Sequence, residues 1–161
     1  MNHIWSPWRM EYIEHSNKDD ACIFCNAQAK EDSAENLIAF RGERAYVILN
    51  RYPYTSGHLM VVPFAHQPNL EELDAEIRAE MMELTTQCMT VLRKIYNPQG
   101  FNVGANIGEA AGAGVQSHVH IHIVPRWAGD TNFMSAVAET RVLPESLEAT
   151  YERVKSAFLE A

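Results

Sequence analysis

The chain has 161 residues, a formal net charge of −8 and three cysteines. That length suits one domain able to bury a core without disulfide staples. The acidic balance argues against a nucleic-acid polymer as partner, because such binders neutralise phosphates with Lys and Arg, and three thiols fit a reducing compartment better than a secreted disulfide framework.

No apolar run is long enough to span a bilayer and no charged-then-apolar leader is present, so a soluble, cytoplasmic protein with no membrane partner is expected. The N-terminal "MNHIWSPWRMEYIEH" carries Trp5, Trp8 and Tyr12 without a helix or strand period, and reads as an arm over about residues 1–20 of a single domain spanning 1–161. Three short apolar runs follow, "NLIAF", "AYVILN" and "HLMVVP", separated by Gly42 and the Pro53 to Gly57 segment; they read as consecutive strands. The period then changes. Leu73, Ile77, Met81, Leu84, Cys88, Val91 and Ile95 step by three or four, which predicts an amphipathic helix over 70–95, with Asn69 as N-cap, Glu72 at N3 and Pro98 as the stop. Cys88 falls on the apolar stripe, the place of a buried structural thiol. "GFNVGANIG" and "SHVHIHIVP" read as two further strands joined by the loop "GEAAGAG", and a last helix from near Pro144 puts Leu147, Tyr151, Val154 and Phe158 on one side. Strands in hairpin order with one long helix inserted and one at the end make an α+β fold with an antiparallel sheet.

Within "QSHVHIHIVPRW", His118, His120 and His122 alternate with Val119, Ile121 and Ile123 at strand period. The imidazoles are therefore expected on one face and the aliphatic set on the other, in the core. The Cα atoms of His118 and His122 would lie roughly 13 Å apart, too far for all three rings to share one tetrahedral ion. One end of the triad can go to a metal, leaving the rest for chemistry. Cys22 and Cys25 form "CIFC", a chelate common in structural zinc sites. A redox reading is weaker, since Ile23 and Phe24 read as buried and no strand-to-helix thioredoxin pattern surrounds them. His66 would be the third ligand and His118 the fourth, although His66 is equally readable as an exposed loop residue. His120, in the middle, is the best candidate nucleophile: a neutral imidazole attacks phosphorus near neutral pH and leaves a labile phosphoramidate. His122 would contact phosphate oxygens, and the small residues leading into the strand would let backbone N–H groups form an anion nest, though a plain turn has the same composition. The turn "NRYPYTSGHLMVVP" sets Asn50 and His58 at its two ends, either aimed at the same pocket or simply capping the turn and starting a strand.

Together these motifs resemble the histidine-triad superfamily of nucleotide hydrolases and transferases. The resemblance rests on "HVHIHIV", on the Asn-Arg-x-Pro-x-x-x-Gly-His turn from Asn50 to His58, on the Gly-rich stretch before the triad and on the element order. "WSPWRMEYI" and "PRWAGDTNFM" are similar to the branch that holds bacterial diadenosine tetraphosphate phosphorylases and hydrolases. The resemblance implies His120 as the nucleotidylated nucleophile, His122 and His58 assisting at the phosphate, Asn50 at the ribose hydroxyls, and zinc on Cys22, Cys25, His66 and His118. It also implies a twisted antiparallel sheet with a long helix, paired into a homodimer. One departure is visible. Many relatives place Gln-Ser-Val or Gln-Thr-Val two residues before the first triad histidine, whereas "GAGVQSH" shifts Gln116 and Ser117 toward it. Backbone amides between Gly112 and Val115, Gly114 included, are then alternative phosphate contacts.

The leading expectation is thus an enzyme cleaving a dinucleoside polyphosphate at the α-phosphate, with water or phosphate as the acceptor; Arg9 and Arg126 would either hold that phosphate or pair with surface carboxylates. A nucleoside phosphoramidase or sugar-1-phosphate nucleotidyltransferase is the alternative within the class. A non-catalytic zinc-stabilised nucleotide-binding module, or a metalloenzyme using His-x-His, are the rivals outside it.

Overall fold

The computed structural model describes residues 22–130 and 143–160; the expected N-terminal arm and the end of "PRWAGDTNFM" lie outside them. It begins with a short helix, α1 (Ile23–Gln28), followed by strands β1 (Ile38–Arg41), β2 (Ala45–Leu49) and β3 (Leu59–Pro63). A long helix, α2 (Ala75–Tyr96), leads to β4 (Gly100–Gly104), β5 (Ile121–Arg126) and a closing helix, α3 (Leu147–Leu159). The strands form one antiparallel sheet in the order β1-β2-β3-β5-β4, so the α+β expectation holds. No described helix is long and apolar enough to cross a membrane.

Register decides what each face does. Phe40 pairs with Val47, Val47 with Val61 and Val61 with Ile121, so these side chains share one face, where Phe40 stacks on Phe158 of α3 at 5.1 Å between ring centroids. Helices α2 and α3 cover this face and bury Met81, Leu84, Cys88, Val91, Tyr151, Val154 and Phe158 with the strand residues in one core. The opposite face carries Ile48, Met60 and His122, which pair in a row across β2, β3 and β5. The histidine side thus looks away from the helical layer, as the alternation predicts.

The starts of β1, α2 and α3 differ from the sequence reading, through backbone conformation, side-chain burial and capping respectively. The first strand starts at Ile38 because Leu37 has φ 67, a left-handed conformation unusual for a side chain of its size. It is buried there beside Asn36, whose amide donates to the Ala27 and Glu31 carbonyls and accepts from the Ser33 and Ile38 N–H groups. The long helix begins at Ala75 and not at Leu70. Asn69 and Glu72 do bond to each other at 2.6 Å, but they close only a 3-10 turn over Leu70–Glu72, after which Leu73 goes extended and buries its side chain. The last helix starts at Leu147, three residues after Pro144, with Ser146 as N-cap accepting from the Ala149 N–H at 3.2 Å. The long helix ends as read, at left-handed Asn97 followed by Pro98.

Candidate active site and metal cluster

Only His122 of the triad lies within β5; His118 and His120 precede its first residue, Ile121. The cause is Pro63 at the end of β3. Proline has no N–H to continue the ladder, and its carbonyl is taken by the His118 side chain, Nε2 donating at 2.8 Å. The Val119 N–H turns instead to the Gln67 carbonyl at 2.8 Å. The strand thus opens at His118, whose side chain joins the Cys22, Cys25 and His66 cluster, and at His120, whose Nδ1 turns back to the His118 carbonyl.

Because His118 Nε2 holds the proton given to Pro63, its Nδ1 keeps a lone pair. That nitrogen lies 3.3 Å from Cys22 Sγ and 3.7 Å from Cys25 Sγ, and His66 Nδ1 is 3.2 Å from Cys25 Sγ. All four ligand atoms fall within 4.8 Å of one another. Tetrahedral zinc with thiolate and imidazole ligands demands a sulfur to nitrogen separation of ~3.6 Å, so the donor set fits a metal ion in number, chemistry and spacing. Among the described residues this is the one such cluster, and it uses a single triad histidine. Burial acts to raise the Cys22 thiol, but its bond to His118 and the amides of Cys25 and Phe24 outweigh it and bring the thiol down to about 6. Cys25 moves the other way, raised by burial and by its neighbour Cys22, so Cys22 is the first to ionise. Between them, Phe24 is buried as expected, whereas Ile23 is 51% exposed, against expectation.

His120 is 4% exposed, and its Nδ1 donates to the His118 carbonyl at 2.9 Å. The tautomer that results has a bare Nε2. Burial lowers the affinity of this imidazole for a second proton, which keeps the nitrogen available at neutral pH. His58, 1% exposed, accepts the Tyr54 N–H at Nδ1 (3.2 Å), so its Nε2 carries the proton and donates to His122 Nδ1 at 2.9 Å. His122 is then left with a protonated Nε2, a donor. The rings of His120 and His122 stand 4.8 Å apart at 73°. A bare nitrogen and an N–H donor are thereby set side by side, the pair a displacement at phosphorus needs.

The turn between β2 and β3 delivers His58 and Asn50 to this row. The Asn50 N–H bonds to the His58 carbonyl at 3.0 Å, Thr55 Oγ1 anchors the turn to the Pro125 carbonyl at 2.9 Å, and Asn50 Oδ1 accepts the Tyr52 N–H. Asn50 Nδ2 is thereby left facing His58 Nε2 at 3.5 Å. Gly57 makes this turn possible: its φ is 78, and an added Cβ would stand 3.0 Å from Leu92.

In the loop before the triad, a 3-10 turn over Glu109–Ala111 ends at Gly112, left-handed at φ 78. The Gly112 and Ala113 N–H groups bond back to the Glu109 and Gly108 carbonyls, at 2.8 and 3.3 Å. Val115 packs its side chain on the core, while Gly114, Gln116 and Ser117 are exposed. Arg126 is held by Asp130 at 2.6 and 2.9 Å and by Asn102 Oδ1 at 2.6 Å, the ion-paired alternative of the sequence reading. Arg9 lies outside the described residues. Four participants were not read from the sequence: the Phe24 ring, the Tyr54 amide, and the carbonyls of Pro63 and His118. The last three are backbone groups, which leave no mark on residue identity; the Phe24 signal was its place between the two cysteines.

A family profile described as "HIT domain" matches residues 31–129. A protein of Mycobacterium tuberculosis named "AP-4-A phosphorylase" is 37% identical over 158 residues, covering 93% of this chain and 80% of its own length. The crystal structure of a Zn-bound histidine triad family protein from Mycobacterium smegmatis superposes with a TM-score of 0.69 at 26% identity, covering 87% of this chain and 94% of that one. The crystal structure of a protein from Sulfolobus tokodaii, described as a hypothetical histidine triad nucleotide-binding protein, gives the same TM-score and identity, with coverages of 86% and 93%.

Proposed function

The chain belongs to the HIT domain family, and on that footing we propose that it is an enzyme cleaving dinucleoside polyphosphates, diadenosine tetraphosphate foremost, through a nucleotide bonded to His120. The observation that carries this reading is the bond from His120 Nδ1 to the His118 carbonyl, which leaves Nε2 as a buried, unprotonated nucleophile. Attack of Nε2 on the α-phosphorus forms the N–P bond and breaks the bond to the remaining polyphosphate, which departs as ATP when the substrate is diadenosine tetraphosphate. The His118 carbonyl faces the Nδ1–H as positive charge grows on the ring. His122 Nε2–H donates to a phosphate oxygen, held in that tautomer by His58, and Asn50 meets the ribose hydroxyls. The Gly112 and Ala113 N–H groups being engaged within the loop, the amides of Gly114 and Val115, with Gln116 and Ser117, supply the remaining phosphate contacts.

Zinc on Cys22, Cys25, His66 and His118 would be structural, closing the N-terminal end of the described chain onto the triad; the zinc-bound relative supports that choice of metal. The acceptor we assign is inorganic phosphate, supported by the relative named as a phosphorylase. The molecule is read as a single-domain cytoplasmic homodimer, a reducing compartment being what a thiolate metal site requires.

The test is to quench the protein early in a reaction with labelled diadenosine tetraphosphate and map the acid-labile label. Adduct on the peptide holding His120, lost in His120→Ala together with a thousandfold or more of the rate, on the order seen when a nucleophile is removed, is the expected result. Turnover near wild type in His120→Ala would remove the covalent mechanism, and binding of nucleotide without adduct or turnover would leave a binding module.

A further inference from the structure

We propose that Phe24 is a positioning residue: its ring, carried on the first turn of α1 between the two metal-ligand cysteines, fixes the plane of the His120 imidazole and so couples the attacking nitrogen to the metal cluster. The inference rests on the reading of His120 as nucleophile.

One hydrogen bond, from Nδ1 to the His118 carbonyl, pins one atom of the His120 ring. It does not fix rotation of the ring about that contact, and an in-line displacement needs the direction of the Nε2 lone pair to be fixed as well. Two rings supply the missing restraint. His122 meets His120 edge-on at 4.8 Å, and Phe24 meets it at 4.9 Å and 52°. Phe24 also stands edge-on to His118 at 5.5 Å and 74°, so it touches both the metal-ligating histidine and the nucleophile.

The backbone beneath that ring is held from three points. Cys22 and Cys25 flank it in the ligand set, and the Tyr46 hydroxyl donates to the Phe24 carbonyl at 3.0 Å from inside the sheet. Phe24 is 2% exposed while its neighbour Ile23 is 51% exposed, so of the two residues between the cysteines only the aromatic one enters the core. A closed cluster holds the first turn of α1 to His118 through two sulfurs, and an open one leaves it to the Tyr46 and Arg41 contacts. The metal therefore acts on the nucleophile through an aromatic contact, without touching the substrate.

The discriminating feature is the flat ring rather than apolar volume. Phe24→Leu and Phe24→Met keep a buried apolar side chain but lose the plane; Phe24→Tyr restores it. With metal-loaded, full-length protein and diadenosine tetraphosphate, the Leu and Met variants are expected to retain wild-type metal content and KM. Their rate of adduct formation should fall about tenfold or more, as expected when a reacting group is slightly misplaced, and the Tyr variant should recover most of it. Ring-nitrogen NMR of His120 gives a readout independent of turnover. Wild type should show one protonated and one bare nitrogen, and the Leu variant or chelator-treated wild type should show the two signals broadened or averaged. Wild-type rates in both the Leu and Met variants, rate loss that merely tracks metal loss, or unchanged His120 signals would each overturn the proposal. If wild type forms no adduct at all, the nucleophile reading falls separately, and the NMR comparison still decides whether Phe24 holds the ring.

Discussion

Burial, and after it the neighbouring His120, push the His122 imidazole down to about 4. The groups facing it are His58, which donates to its Nδ1, His120, and the Tyr54 ring at 6.2 Å; none offers a negative charge to a protonated ring. The folded protein therefore holds His122 neutral, whereas the unfolded chain takes up the proton near the ordinary histidine value of about 6.5. In the window between those two values the unfolded state binds more protons, so stability must fall as pH falls from about 6.5 toward about 4. Protonation at Nδ1 would also set two N–H groups against each other across the His58 contact. We predict that the unfolding temperature of wild type declines through this window and that His122→Gln, which cannot take up the proton, declines less steeply. Parallel pH curves for the two proteins would show that His122 is not the group responsible. Strand spacing put His118, His120 and His122 on one face and Cys22 and Cys25 stood out as a chelate, whereas His58 and His66 were ambiguous from the residues alone and took their expected roles from the family resemblance. The direction of each proton was not legible, because it is decided by the carbonyls of His118 and Pro63 and the amide of Tyr54, groups every residue has.

Among the elements, β5 shows how much a hydrophobic pattern conveys and where it stops. The alternation of Val119, Ile121 and Ile123 with histidines predicted the correct faces, since pleating is a local property of the chain. It did not predict that the ladder opens at Ile121, because that depends on Pro63, more than fifty residues earlier, meeting this stretch across the sheet. The same limit applies to α2. Its stripe was legible, but its start at Ala75 follows from the burial of Leu73, a tertiary event, and Thr85 and Leu92 are buried beside the stripe without belonging to the reading. Helix α1, with its six residues, is too short to hold itself in isolation. What anchors it are the Tyr46 hydroxyl, the Arg41 guanidinium on the Gln28 and Lys30 carbonyls, and the cysteine and histidine cluster. Ligand loss should therefore loosen this element first. We predict about one zinc per chain in protein purified without chelators, and loss of that metal together with a lowered unfolding temperature in Cys22→Ser and in Cys25→Ser, since a closed site contributes folding energy directly. Elemental analysis and thermal melts check both, and a metal-free wild type as stable as the chelator-untreated protein would refute the structural assignment.

At the scale of the molecule, the sheet has two edges with different fates. Strand β1 packs against α3, while β4 leaves Asn102, Val103 and Gly104 exposed, Val103 at 45%. Such an edge invites pairing, and it supports the homodimer: light scattering should return twice the 18.2 kDa of the chain, and a monomer at micromolar concentration would refute it. The charge of the whole chain bears on the acceptor. With a net charge of −8, the surface does not gather anions, so phosphate must be recognised by local donors. Arg126 is unsuited to that task while Asp130 occupies both its Nε and its Nη2, and the donors assigned to it in the proposed reaction are the His122 Nε2–H, beside His120, and the amides of Gly114 and Val115. Those same groups would have held the departing polyphosphate, so a phosphate ion entering after ATP leaves finds a site already shaped for a phosphoryl group, whereas water gains nothing from it. We predict that diadenosine tetraphosphate yields ADP and ATP, with labelled inorganic phosphate appearing at the β-position of ADP and the rate rising with phosphate until it saturates. Chromatography of the products with and without phosphate measures this directly. AMP and ATP in both conditions would make water the acceptor and overturn the phosphorolytic assignment, while leaving attack by His120 intact.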